Sequence, residues 1–431
     1  MAKALFQTDE FKEREIAPFL DDKKGLRETS RQKWEIQKLE TVADFCLGKM
    51  LDQKKNRGEP LPYLANINVR WGEFDLTDLR EMRFEQHELD RYGLKYGDIV
   101  MCEGGEPGRC AIWKNHNSAM MIQKALHRIR PFSCLRPEFL FYFFLYKGRT
   151  GHLSSLFTGS TIKHLPREKL ALVEVPVPPH STQDRIVSIL SAYDDIIENN
   201  RRRIQLLEES ARLVYKEWFV RLRFPGHEHV KIVDGVPEGW KKFLISEVCE
   251  TVGGGTPSTK IAENWNGEIE WIVPTDVTKN DCLFLLESER RITDKGLRES
   301  SAKMVPPWTI LMTSRASVGY FGLTDKEVCT NQGFINIIPF DDDFRMYILF
   351  NLMDRVNEIR ANAKGTTYPE ISKGQFRNMS VVLPPKLLAI QFGTVVFSVI
   401  QQIRCLKKAT QRLDSARDLL LPRLMNGEIA V

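Results

Sequence analysis

The sequence has no C-x-x-C pair, no apolar run long enough to span a bilayer, and none of the short motifs that carry enzyme chemistry. Its eight cysteines (Cys46, Cys102, Cys110, Cys134, Cys249, Cys282, Cys329 and Cys405) are scattered. That scatter argues against a metal ribbon or dithiol site and fits reduced thiols. The longest unbroken apolar run, Phe139 to Tyr146, falls far short of the roughly 20 residues a membrane helix needs. The N-terminal stretch is charged and lacks the apolar core of a secretory leader, so a cytoplasmic protein with no membrane partner is expected. No phosphate loop of the G-x-x-x-x-G-K-[ST] type occurs; Gly253-Gly254-Gly255-Thr256 lacks the lysine that would neutralise phosphate. The eight histidines never fall into H-E-x-x-H or another metal spacing, and no G-x-S-x-G elbow is present. These absences exclude the common hydrolase, metalloenzyme and NTPase readings.

One segment needs weighing against this. Val305-Pro306-Pro307-Trp308 looks like the Asp/Asn-Pro-Pro-aromatic loop of amino-methyltransferases. There the first residue accepts hydrogen bonds from the target amine and the aromatic ring stacks on the flipped base. Valine accepts nothing, and no glycine-rich cofactor loop follows a strand upstream. The segment reads as a turn before a strand, and the chain is expected not to be an enzyme.

What is present is a chain of 431 residues with net charge +5, too long for one core. The charge is unevenly spread. Between residues 386 and 423, Lys386, Arg404, Lys407, Lys408, Arg412, Arg417 and Arg423 face only Asp414 and Asp418. A solvated helix face and a basic surface for DNA or an acidic partner are equally good readings of that stretch.

The sequence also repeats itself once. Trp34 leads a stretch through Leu39-Glu40-Thr41-Val42 to Gly48; Trp240 leads another through Ile245-Ser246-Glu247-Val248 to Gly254. Pro62 to Val69 parallels Glu270 to Val277, and Gly97-Asp98-Ile99-Val100-Met101 parallels Trp308-Thr309-Ile310-Leu311-Met312. Gln123 answers Gln332, Gly159-Ser160-Thr161 answers Gly365-Thr366-Thr367, and Val175 to Pro179 answers Val381 to Pro385. Each match is weak alone, but the constant order and nearly constant spacing point to one duplicated unit of about 200 residues.

Within each copy, short β-branched and aromatic runs broken by Gly, Pro, Asn and Asp give way at a double proline to a long stretch almost free of Gly and Pro. There Ile186, Ile189, Tyr193, Ile196, Asn200, Ile204, Leu207, Ala211, Val214 and Trp218 recur at spacings of three and four. Phe392, Val395, Val399, Ile403, Leu406, Ala409, Leu413, Ala416 and Leu420 do the same in the second copy. Such spacing predicts two long helices, each with an apolar seam that needs a partner.

Two strand-and-loop domains tied to paired helices would make a ruler with a reading head at each end. A head that reads DNA needs cations for phosphates and amides, hydroxyls or carboxylates for base edges. Candidates in the first head are Lys49, Lys54, Lys55, Asn56 and Arg57; Asn66, Asn68 and Arg70; and Ser160, Thr161, Lys163 and His164. In the second head they are Thr256, Ser258, Thr259 and Lys260; Thr275 and Asp276; Ser314, Arg315 and Ser317; and Lys364, Thr366, Thr367 and Tyr368. Corresponding loops are polar in both heads while their residues differ, as expected of one scaffold reading two sequences.

The pattern resembles the DNA specificity subunits of Type I restriction-modification systems from about Trp34 to Ile429. The resemblance is carried by Val236-Pro237-Glu238-Gly239-Trp240, Gly97-Asp98-Ile99, Gly365-Thr366-Thr367, and Pro178, Pro179, Gln183 and Ile186 at the first helix start. Lys216-Glu217-Trp218-Phe219 and Leu420-Leu421-Pro422-Arg423-Leu424-Met425-Asn426-Gly427-Glu428-Ile429 add to it. Two departures stand out: Gln391 lies two residues out of phase with Gln183, and Trp308 takes the place of the usual Gly. The resemblance implies an α+β fold: two duplicated mixed α/β target-recognition domains joined by two long helices in an antiparallel coiled coil. The expected layout is an extension over 1–33, recognition domains at 34–181 and 225–385, and helices over 182–224 and 386–431. It further implies partnership with double-stranded DNA, two methyltransferase subunits and two restriction-translocation subunits in phage defence. S-adenosylmethionine, ATP and Mg²⁺ would belong to those partners, with no cofactor or metal on this chain. A specificity subunit of a Type II or phage-exclusion methyltransferase would share these features.

Overall fold

The computed structural model describes residues 34–50, 52, 56–115, 119–233, 235–365 and 368–431; the extension expected over 1–33 lies outside the described residues. The chain divides into two units, one within Met1–Asp194 and Asp414–Val431, the other Asp195–Leu413.

The main elements of the first unit, short helical turns aside, are β1 (Glu35–Lys38), β2 (Ala43–Leu47), β3 (Glu59–Leu64), β4 (Arg80–Phe84), β5 (Ile99–Cys102), β6 (Cys110–Ile112), β7 (Met121–Ile122), β8 (Leu126–Pro131), α1 (Pro137–Arg149) and β9 (Glu174–Val177). Helix α2 follows over His180–Tyr215. An antiparallel sheet runs β2-β8-β5-β6, a second sheet β4-β3-β7, and β1 pairs with β9. In the second sheet β3 and β7 are parallel, with Tyr63 opposite Met121.

Strand β5 shows why these runs fold as they do. All four of its residues are buried, and alternate side chains leave opposite faces of a strand. Ile99 and Met101 join the core around α1, whereas Val100 and Cys102 join a cluster with Leu64, Trp113 and Ile122. The apolar run Phe139 to Tyr146 is the buried body of α1, with Pro137 in its first turn.

The second unit contains β10 (Lys241–Leu244), β11 (Cys249–Gly253), β12 (Trp265–Ile272), β13 (Arg290–Ile292), β14 (Met304–Val305), β15 (Ile310–Thr313), β16 (Phe321–Gly322), β17 (Val328–Thr330), β18 (Phe334–Pro339), α3 (Arg345–Asp354) and β19 (Ser380–Leu383). Helix α4 spans Lys386–Met425. One sheet runs β11-β18-β15-β16, another β13-β12-β17-β14, and β10 pairs with β19. Here β12 and β17 are the parallel pair, with Trp271 opposite Cys329.

The turn before β15 explains one departure from the family pattern. Trp308 has φ 65°, a left-handed conformation held without strain in the first unit by Gly97 at φ 87°. Both amides bond the same way, Gly97 to the Trp113 carbonyl and Trp308 to the Thr324 carbonyl, each at 2.8 Å. The Trp308 ring packs 5.0 Å from Phe397 and 5.8 Å from Phe284, which offsets the strain of its backbone.

Asp194 and Asp195 are consecutive in α2, so each unit holds part of both long helices. In the first unit Ile186 and Leu190 share a core with Leu421, Leu424 and Met425. The Gln183 amide, fully buried, accepts from the Arg136 amide at 2.7 Å and donates to the Cys134 and Pro178 carbonyls at 2.9 and 2.8 Å. This pins the start of α2 to its unit. Gln391 is exposed; there the job falls to Lys386, whose ammonium meets Asp341 at 2.7 Å and Asp343 at 3.0 Å.

In the second unit Ile204, Ala211, Tyr215 and Phe219 share a core with Phe392, Val396, Ile400 and Ile403. Phe219 lies in the π-helical turn Lys216–Val220 that ends α2, with its ring 4.8 Å from Tyr347 and 5.0 Å from Phe392. By length and composition α4 is apolar enough to cross a membrane, which the reading of unbroken runs alone did not anticipate. About a third of its apolar window, including Phe392, Val396 and Ile400, is buried in the core of the second unit, while Leu387 and Val395 are exposed.

Arg417 is the most embedded ion pair of the helices. Its guanidinium meets Asp194 at 2.7 Å, Asp418 at 2.8 Å and Asp414 at 3.0 Å, and the Tyr142 hydroxyl donates to Asp194 at 2.7 Å. Arg417→Ala would leave Asp194 half-buried without its counter-ion, a loss of about 2–3 kcal/mol after allowing for partial exposure of the carboxylate. Hydrogen exchange over α1 and the start of α2 should accelerate accordingly; unchanged protection would show that the network contributes little.

Candidate nucleic-acid interface

In the first unit β5 runs out into a loop, Glu103 to Arg109, before returning as β6. The short hairpin Thr158 to His164 lies on that loop. Thr158 and His164 exchange backbone hydrogen bonds at 2.8 and 2.9 Å, and the Leu165 amide donates to the Glu103 carbonyl at 2.7 Å. His164 bridges to Gly104 and its ring nitrogen meets the Glu103 carboxylate at 3.1 Å. Arg109 donates to the Asn66 carbonyl at 2.7 Å, bringing the turn after β3 to the same loop. Asn66, Ser160, Thr161, Lys163 and His164 are therefore neighbours on one loop cluster, with Ser160, Thr161 and Lys163 exposed.

The other first-unit candidates have different surroundings. Lys49 is only 4% exposed, with its ammonium committed to Glu88 and, at 2.9 Å, to the Arg83 carbonyl. It is an interior ion pair with no surface to offer. Asn68 is likewise internal: its side chain accepts from the Ala65 amide and donates to the Asp75 and Asp78 carbonyls at 3.0–3.1 Å. Asn56 accepts from the Arg83 amide at 2.8 Å. Arg57 and Arg70 are exposed, Arg70 beside Asp75 at 3.4 Å. Lys54 and Lys55 lie outside the described residues.

The second unit builds a similar cluster from different side chains. Strand β15 runs out through Ser314 to Tyr320 and returns as β16. The hairpin Lys364 to Glu370 lies on it, with Lys364 and Glu370 exchanging backbone bonds at 2.9 and 2.8 Å and the Ala316 amide donating to the Pro369 carbonyl at 2.8 Å. Arg315 bridges to Glu370 and pairs with its carboxylate at 3.3 Å. Arg315, Lys364 and Tyr368 are exposed, Ser317 half-buried and Ser314 buried. Thr366 and Thr367 lie outside the described residues.

Away from that hairpin, Thr259, Lys260 and Thr275 are exposed, Thr256 bonds to Gln332, and the Ser258 carbonyl accepts from the Trp265 indole at 3.1 Å. Asp276 accepts from the Val273 and Glu289 amides at 2.8 and 3.2 Å, bracing its own turn. Burial pushes its carboxyl above the usual carboxylate range, which makes a buttress of it rather than a free acceptor.

The basic excess of α4 is largely consumed internally. Arg404 and Lys408 meet Asp325 at 2.6 and 3.8 Å, Lys407 meets Asp281 at 3.8 Å, and Lys386 and Arg417 are paired as described. Among the described residues no group of three or more His, Cys, Asp or Glu is placed to hold a metal ion. Besides Arg57, Arg70, Thr256, Ser258, Thr259, Lys260 and Thr275, the candidates left exposed lie in the two loop clusters, whose hydroxyls and cations suit phosphates and base edges.

Sequence reasoning missed the loops after β5 and β15 as the seats of both hairpins. It also missed Ile162, an apolar residue inside a loop searched only for polar ones.

The family model for the Type I restriction modification DNA specificity domain matches this chain twice, over residues 31–209 and 237–395. The specificity subunit of the Type I restriction enzyme MjaIX from Methanocaldococcus jannaschii is 23% identical, covering 100% of this chain and 99% of that protein. The HindI specificity subunit of Haemophilus influenzae is 24% identical over 78% of this chain and 87% of its own length. Among solved structures, the Type I system S subunit from M. genitalium shares the fold with a TM-score of 0.55 at 16% identity, over 93% of this chain and 98% of that one. Matched twice, over most of its length, the chain belongs to the Type I restriction-modification DNA specificity family.

Proposed function

We propose that this protein reads a bipartite DNA site, one half with each unit, and so directs methylation or cleavage by partner subunits. The observation that carries this reading is the recurrence of one plan in both units. The sheet order β2-β8-β5-β6 has its counterpart in β11-β18-β15-β16, and the parallel pair β3 with β7 in β12 with β17. The hairpin pairs Thr158 with His164 and Lys364 with Glu370, the second pair 206 positions after the first. Such agreement supports a duplication with recognition domains at 34–181 and 225–385. Different side chains on equivalent loops would give the two heads different half-sites.

Helix contacts support an antiparallel coiled coil between the heads. Asp194 meets Arg417, and further along α2 Tyr215 meets Phe392, earlier in α4. Residue numbers therefore rise on one helix as they fall on the other. On this reading two methyltransferase subunits and two restriction-translocation subunits assemble on the chain and bring S-adenosylmethionine, ATP and Mg²⁺. The chain itself orients DNA and does no chemistry.

The test is a footprint on DNA by the complex that a tagged full-length chain brings from its host. Two short base-specific patches separated by a spacer are expected. A single continuous patch, or no sequence preference, would contradict the reading. Arg315→Ala sharpens the test. If Arg315 meets a base edge, specificity relaxes at one position with a loss of about 1–3 kcal/mol. A phosphate contact instead gives uniform weakening and a shallower salt slope, and an unchanged footprint and slope would remove Arg315 from the interface.

A further inference from the structure

The two hairpins share a detail that polarity does not explain. Gly159 has φ 92° and Gly365 has φ 101°. A β-carbon on Gly159 would lie 2.2 Å from the Ile162 carbonyl oxygen, and one on Gly365 would lie 2.7 Å from the Tyr368 carbonyl oxygen. In each hairpin the residue three after the glycine therefore folds its carbonyl over it, a closure only glycine permits. The backbone pair Thr158–His164 or Lys364–Glu370 closes the frame behind. The side chain at that framed position is 63% exposed in Ile162 and 72% exposed in Tyr368.

One exposed apolar side chain is ordinary on any protein surface. Two large ones at the same register, each three residues after the glycine of corresponding loops, call for a shared task. Their neighbours narrow what they meet. Lys163 is exposed beside Ile162, and Lys364 is exposed in the hairpin of Tyr368, where Arg315 is exposed and paired with Glu370. Each apolar tip thus has on its hairpin one lysine that is unpaired among the described residues. The complementary surface is apolar and flat at its centre with anions at its edge, the character of a base step between phosphates. A groove on a protein would demand a wider apolar patch than one side chain supplies.

We propose that Ile162 and Tyr368 are equivalent wedge residues, each pressed into or stacked on one base step of its half-site. Apolar side chains are known to unstack base steps in this way, and aromatic side chains stack on bases. A wedge reads how easily a step opens rather than its hydrogen-bonding pattern, so it adds selectivity that no base-edge contact would account for. The inference rests on the DNA-reading function proposed above.

The test uses the complex carried by the full-length chain and a duplex bearing its own recognition sequence, with 2-aminopurine placed at each half-site position in turn. Fluorescence should rise at one step in each half-site on binding. Ile162→Ala should abolish the rise in one half-site and Tyr368→Ala in the other. Each should weaken binding by about 5–30-fold, as for the loss of one base stack, with an unchanged salt slope. Ile162→Leu and Tyr368→Phe should keep both signals.

If the complex selects its sequence over a scrambled duplex yet no position brightens, or Ile162→Ala binds within twofold, the wedge is wrong and the DNA-reading function stands. If Ile162→Ala changes which subunits co-purify while base stacking is untouched, the residue faces protein and the wedge is again wrong. If the wild-type complex selects no sequence, the functional reading falls and the wedge with it.

Discussion

Four residues inserted after Asn200 in α2, with a matching turn after Gln411 in α4, should lengthen the unspecified spacer of the recognised site by one or two base pairs while both half-sites stay the same. One helical turn adds about 5.4 Å, and the duplex rises about 3.4 Å per base pair. The heads must follow their helices because the joints have little slack. Proline fixes its own backbone at Pro178 and Pro179 and restricts the residue before it. The three hydrogen bonds of Gln183 lock the start of α2, and Lys386, in a surface ion pair with Asp341 and Asp343, adds a weaker tether at the start of α4. Three or four added residues keep the apolar seam near its phase, whereas two rotate it away from its partner and should impair folding instead. The readout is the map of methylated bases in a host carrying the lengthened chain. An active variant that keeps the original spacer would show that the helices do not set the distance.

The strands and the long helices were legible because they rest on local patterns. Strand β5 alternates between two cores, and the expected seam is buried at Ile186, Asn200, Ile204 and Ala211, whereas Ile196 and, in α4, Val395 are exposed, with Ile197 and Val396 buried in their place. Even the odd residue at Trp308 was visible as a departure, although its left-handed backbone and its Phe397 partner were not. The candidate site was legible only at the level of loops. Lys49, Asn68 and Asp276 look like free polar groups in sequence, yet each is spent on a partner: Glu88, the carbonyls of Asp75 and Asp78, and the amides of Val273 and Glu289.

The charge of α4 misleads for the same reason. Its cations find acids such as Asp325 and Asp341 that lie far back in the chain, and no count along one segment can see them. Ile162 was invisible for the opposite reason, since a search for polar readers passes over an apolar side chain in a loop. Its register follows from the match of Gly159-Ser160-Thr161 with Gly365-Thr366-Thr367, which sets it against Tyr368; what the sequence did not carry is the exposure of both side chains.

The largest expected effect follows from the proposed independence of the two heads, and it is the central claim. Residues 34 to 176, replaced by the corresponding segment of a family member with a different specificity, carry the sheets β2-β8-β5-β6 and β4-β3-β7 and the whole Thr158–His164 hairpin. They leave Pro178, Pro179, Gln183, both long helices and the second unit untouched. On the proposed function, the exchange replaces the head that reads one half-site and leaves the other head as it was. Mapping methylated bases across the genome of a host that carries only the chimera measures the outcome directly. A motif with one half replaced, the other half retained and the spacer unchanged is the predicted result; a motif altered in both halves, or one left unaltered by an active chimera, would contradict the account.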